Sequence, residues 1–152
     1  MNIKIIQDDK QKMIIAREIL EALPEWFEIP EGREKYINDS VGKEFVSAYK
    51  DDEPIGFLYL TKTGKDTLEL GVMGVKKEYH RMGIGRELFE NAREIARNAG
   101  FSFIQVKTGK MGMYADYDKT NLFYLSLGFK EFEVFPTLWD EANLCQIYVM
   151  SV

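Results

Sequence analysis

The chain has 152 residues, of which 45% are hydrophobic and 13% aromatic, enough for one globular domain over residues 1–152 with a single sizeable core. A formal net charge of −5 argues against nucleic acid as the main partner, and no apolar run approaches the length of a membrane span. The first residues enter a strand-like pattern without signal-peptide character, and the one cysteine, Cys145, excludes an internal disulfide framework. A cytoplasmic protein without a membrane partner is expected.

Residues 2–7 alternate around Ile3 and Ile5 and predict a first strand. Asp8 or Asp9 caps the helix that follows, which carries Ile15, Ile19 and Leu23 on one face and ends at Pro24. Residues 25–30, with Trp26 and Phe27, are too aromatic for a plain solvated loop, and a short helix is expected over 31–38. Strands follow at Glu44–Lys50 and at 54–61, joined by a hairpin-length connection, and a third at Thr67–Val75. From Ile84 the apolar residues fall at 84, 88, 92, 95, 96 and 99, one face of a helix that Gly100 closes. A short strand over 102–106 returns in parallel through a right-handed crossover. Residues 107–118 read as a loop, 120–127 as a short helix stopped by Gly128, 129–135 as a strand, 136–143 as a loop and 145–152 as a final strand. The order β-α-(α)-β-β-β-α-β-α-β-β predicts a mixed sheet with helices on its faces, an α/β (α+β) domain.

The chain is organised around residues 72–86, a strand, a glycine turn and a helix start. Gly83 and Gly85 lack Cβ atoms and let a ligand approach the backbone. The helix directs its first unpaired N–H groups and its positive dipole end into the turn, which suits a phosphate. Four cationic residues, Lys76, Lys77, Arg81 and Arg86, stand against one carboxylate, Glu78. The Gly-Lys-Ser/Thr of a nucleoside-triphosphate loop does not follow the glycines.

His80-Arg81-Met82-Gly83-Ile84-Gly85 resembles the Gln/Arg-x-x-Gly-x-Gly/Ala signature of the GCN5-related N-acetyltransferase (GNAT) superfamily. It departs from that signature at His80, and Lys77 stands where the family usually has proline. A second segment, Phe123-Tyr124-Leu125-Ser126-Leu127-Gly128-Phe129, resembles the family's Phe-Tyr-x-x-x-Gly-Phe, and the element order matches that fold end to end. The resemblance implies a mixed, mostly antiparallel sheet of six to seven strands, flanked by about four helices and splayed at the cofactor site. It also implies acetyl-CoA as cosubstrate.

Carried over residue by residue, the resemblance places the pyrophosphate on the amides of Met82, Gly83, Ile84, Gly85 and Arg86, with His80 ordering the turn. Arg81 and Arg86 either reach the phosphates or stay solvated. Met73, Gly74 and Val75 pair with the pantetheine arm; the other reading of glycine there is tight packing under a helix. Tyr124 is the candidate general acid for the leaving thiolate, or else a core aromatic. Glu69 is the candidate base, or else a solvent-facing strand residue with a water as base. Asn121 is a substitute cofactor contact for the family's asparagine, whose place Tyr117 takes. Trp26, Phe27, Trp139 and Asp140 lie in segments that usually wall the acceptor pocket, or else plug the edge of a core.

Cys145 reads as a buried small hydrophobe, so direct attack in a ternary complex is expected. No residues have metal-ligand spacing, and no metal is expected. The resemblance implies a primary amine of a small molecule or peptide as the acceptor, otherwise unspecified, and a homodimer is common in such folds. The second reading is a CoA-binding sensor or interaction module without turnover.

Overall fold

Residues 1–152 are described by a computed structural model. The elements run β1 (Asn2–Ile6), α1 (Asp9–Glu21), α2 (Pro30–Asp39), β2 (Glu44–Lys50), β3 (Glu53–Lys62), β4 (Thr67–Val75), a 3₁₀ turn (Lys77–Tyr79), α3 (Ile84–Asn98), β5 (Phe103–Gly109), α4 (Ala115–Leu127), β6 (Lys130–Asp140) and β7 (Asn143–Ser151). Seven strands form one mostly antiparallel sheet in the order β1-β2-β3-β4-β5-β7-β6, with four α-helices, as the sequence predicts. The parallel β4–β5 ladder pairs Thr67, Leu68 and Glu69 with Phe103, Ile104 and Gln105 and then stops. No helix is long and apolar enough to cross a membrane.

By their contacts the residues divide into two compact units, Met1–Thr61 with Leu70–Ile95, and Lys62–Glu69 with Ala96–Val152. In the first, Asp8 caps α1 by accepting from the Lys10 N–H at 2.9 Å. Ile15, Ala16, Ile19 and Leu20 then recur on one face and are fully buried in a cluster with Phe45, Phe57 and Tyr59. Helix α2 starts one residue earlier than predicted because Pro30, preset to helical φ, occupies its first turn. Lys76 is buried at the end of β4 between Glu18 of α1 and Glu53 of β3, at 2.5 and 2.9 Å. Burial alone lowers its pKa, but the two carboxylates outweigh burial and raise it.

The second unit corrects three predicted boundaries. Strand β5 runs on to Gly109, because Thr108 continues the buried alternation of Ile104 and Val106 and pairs with Gln146. Its polar side chain hides that period in the sequence. Helix α4 begins at Ala115 rather than at residue 120, with Asp116 and Asp118 in its first turn, where the dipole favours them. It ends as predicted at Gly128, whose φ of +105° is left-handed; the Gly128 and Phe129 N–H groups return to Leu125 O and Tyr124 O. Strand β6 continues to Asp140 through most of the expected loop. It is the last strand of the sheet, where proline is tolerated, and its register with β7 shifts between Glu131 and Glu133 and again between Phe135 and Asp140, around Pro136.

Candidate functional site

In the first unit, β4 leads into the turn through a fixed set of bonds. The Lys76 N–H donates to Ile55 O at 2.9 Å, and the Tyr79 and His80 N–H groups close the 3₁₀ turn on Lys76 O and Lys77 O. His80 Nε2 lies 2.6 Å from Val75 O. A carbonyl only accepts, so this nitrogen carries the proton. Arg81 (φ +62°) and Gly83 (φ +78°) are both left-handed on either side of Met82, which is 66% exposed. Helix α3 then begins at Ile84, and its first bond runs from the Glu87 N–H to Gly83 O at 3.1 Å. The N–H groups of residues 83–85 therefore have no acceptor within the helix. Together with the dipole they form an anion-receptive end.

The predicted cationic cluster is only partly available there. Lys76 is buried between its two carboxylates, and Lys77 pairs with Glu25, whose own carboxyl this bond holds below its ordinary range. Arg81 and Arg86 are exposed, and Arg86 has an interaction partner of its own. Packing accounts for the glycines of β4: a Cβ on Gly74 would lie 3.0 Å from Leu23 Cδ1 and 3.1 Å from Ile19 Cγ2, and one on Gly71 3.0 Å from Thr61 Oγ1. Met73 and Val75, on either side of Gly74, are half-buried. Gly83 differs, because a Cβ there would meet nothing within 4 Å. Its requirement is the left-handed backbone.

In the second unit, Glu69 Oε1 accepts from Gln105 Nε2 at 2.9 Å and pairs with Lys107 Nζ at 3.1 Å. Glu69 is thus an ion-paired residue with a side chain only 15% exposed, not a solvent-facing one. Sequence reasoning missed Lys107. No signal in the sequence marks it, because the pairing rests on the register that sets Glu69 beside Gln105, with Lys107 two residues further along β5.

Tyr124 is buried, with ring centroids 5.8 Å from Phe129 and 6.3 Å from Tyr148. Burial, with a smaller effect from Tyr117, pushes its phenol well above the ordinary value, so it remains protonated at neutral pH. Burial likewise raises the Cys145 thiol, in keeping with a small core residue.

Asn121 is engaged inside the fold. Its Nδ2 donates to Gly109 O at 2.8 Å and Tyr117 O at 2.7 Å, and its Oδ1 accepts from the Tyr148 hydroxyl at 2.6 Å. Both amide hydrogens have acceptors, which makes Asn121 a brace linking α4 to β5 and β7. Asn121→Ala leaves Gly109 O and the Tyr148 hydroxyl without this partner, and a loss of about 3 kcal/mol in unfolding free energy is expected in urea titration. A fall in CoA affinity with stability unchanged would instead make it a cofactor contact. Asp140 is similarly occupied: Oδ1 accepts from the Ala142 N–H and from Asn143 Nδ2, both at 2.9 Å, and shapes the turn from β6 to β7. Trp139 is 47% exposed, whereas Trp26 and Phe27 pack against the first unit's core.

Strand β4, the left-handed turn and the start of α3, set in this sheet order, define an acetyltransferase-type α/β domain. The acetyltransferase (GNAT) family model matches residues 13–129, and the chain belongs to that family. No curated protein sequence matches it. Solved structures share its fold at low identity. A protein assigned to the GNAT family from Desulfovibrio desulfuricans has a TM-score of 0.84 at 20% identity, with 99% of each chain covered. An aminoglycoside 6′-N-acetyltransferase complexed with coenzyme A has a TM-score of 0.80 at 17% identity, covering 99% of this chain and 97% of that one. The ribosomal-protein-S18-alanine N-acetyltransferase from Escherichia coli has 0.76 at 17% identity, covering 99% and 94%.

Proposed function

We propose that this protein is an acetyl-CoA-dependent N-acetyltransferase, acting on a primary amine of a small molecule or peptide by direct attack in a ternary complex. The observation that carries this reading is the left-handed pair Arg81 and Gly83 opening directly onto the start of α3, in a chain of this family. A diphosphate held by the amides of residues 82–86, with Arg81 and Arg86 beside it, fits that geometry. Met73, Gly74 and Val75 take the pantetheine arm, and a backbone N–H meets the oxygen of the thioester carbonyl as charge develops on it.

In the reaction the amine nitrogen forms a bond to the acetyl carbon and the carbon–sulfur bond breaks. The proton lost by the amine goes to Glu69 or to a water, and Tyr124 gives its proton to the leaving thiolate. Both described partners of Glu69 meet Oε1, and the proposal assigns the incoming proton to Oε2 or to a water beside it. Glu69→Gln is expected to lower kcat/KM by roughly a hundredfold and to change how the rate rises toward alkaline pH, since a base acts only when unprotonated. An unaltered profile would assign the base to water alone.

One observation favours the reading without turnover: Glu69 already has an internal cation. Release of free thiol from acetyl-CoA across an amine panel decides between the two. The panel spans polyamines, amino acids, aminoglycosides and peptide N-termini, because the structural neighbours include enzymes named for a drug and for a protein. Stabilisation by acetyl-CoA with no thiol release for any amine would leave a binding module.

A further inference from the structure

Residues 23–29, between α1 and α2, take hold of the chain that leads into the turn. Glu25 Oε1 accepts from Lys77 Nζ, at the start of the 3₁₀ turn. Trp26 meets the His80 ring edge-on at its end, with 5.8 Å between centroids and 71° between planes. The same imidazole donates through Nε2 to Val75 O at 2.6 Å, so it is gripped from two sides. The segment is itself anchored. The Trp26 and Phe27 N–H groups return to Leu23 O at 3.2 and 3.1 Å, Phe27 packs edge-on against Tyr36, and Arg33 Nη1 donates to Phe27 O at 2.8 Å.

Neither an exposed ion pair nor one ring contact contributes much alone. Their importance is geometric. Arg81, next to His80, is a non-glycine residue at φ +62°, a conformation that persists only where its surroundings over-determine it. Glutamine or arginine, the signature residues at position 80, would offer Trp26 no ring edge. The Trp26–His80 pair is therefore matched to the residue at which this chain departs from the signature.

We propose that Glu25 and Trp26 are positioning residues for the cofactor: by holding Lys77 and His80 they fix the turn whose amides receive the diphosphate, and they couple occupancy of that turn to the placement of residues 23–29. The inference rests on reading the turn as the diphosphate site. Coupling of this kind is reciprocal, so CoA binding must in turn alter the surroundings of Trp26.

The chain has two tryptophans, so in a Trp139→Phe background Trp26 alone reports by fluorescence. CoA titration is expected to change that emission. By calorimetry, Trp26→Ala is expected to raise the Kd for CoA about tenfold, while Trp26→Phe, which keeps a ring edge, restores most of the affinity. Trp26→Ala should add little further in a His80→Gln background, because the partner ring is already gone. Glu25→Gln, an exposed change that leaves packing intact, should raise Kd by roughly threefold and guards against a misfolded Trp26 variant. If the wild type binds CoA while Trp26 emission stays constant and the Glu25 and Trp26 variants bind equally well, the positioning role is overturned. If the wild type binds no CoA, the reading of the turn falls, and this inference with it.

Discussion

Gly83→Ala is expected to leave the protein folded and to raise its Kd for acetyl-CoA by about a hundredfold or more. The added methyl finds open space, since nothing lies within 4 Å of an ideal Cβ at this position. The cost to folding is therefore the left-handed backbone alone, φ +78°, about 1–2 kcal/mol for a residue with a Cβ. That same open space lies over the turn, where a diphosphate must reach the amides, and relaxing the strain would turn those amides away. Gly42 supplies the control. Its φ is +77° and its Cβ would also meet nothing within 4 Å, but it lies in the connection between α2 and β2. Gly42→Ala should show the same fall in Tm with CoA binding unchanged. Equal CoA affinity in the two variants would remove the turn from the cofactor site.

Tyr124→Phe is expected to lower kcat by roughly a hundredfold, with KM for acetyl-CoA and Tm nearly unchanged. Phenylalanine keeps the ring contacts with Phe129 and Tyr148, so the change deletes little except the hydroxyl. The pH behaviour follows from the direction of the shift. Burial raises the phenol above its ordinary value, so the protonated form, the one a general acid must start from, is fully present up to about pH 9. Any loss of rate in wild type below that pH thus belongs to another group. Steady-state kinetics from about pH 6 to 9 check both points. Undiminished turnover in the variant would leave Tyr124 as a core aromatic.

Local features carried most of the fold. Gly83, Gly100 and Gly128 announce left-handed turns because only glycine adopts φ > 0 without strain, and all three have it. The stripe Ile15, Ile19 and the stripe Ile84, Leu88, Ala92 state their buried faces by spacing alone. Where the sequence misled, a local rule gave way to a global one. Pro136 reads as a strand breaker, but β6 has no further strand beside it and runs on to Asp140.

The candidate site was less legible, for a related reason. The sequence by itself determined the elements, their order, the left-handed glycine turn before α3 and the family, since each is written in residues close together along the chain. Only the tertiary structure decided how the charged and polar groups pair. Lys76 meets Glu18 and Glu53, Lys77 meets Glu25, Glu69 meets Lys107, and Asn121 meets Tyr148. Such partners lie 23 to 58 residues apart. Their pairing depends on strand register and helix packing, which arise from the hydrophobic pattern of the whole chain and not from the charged residues themselves.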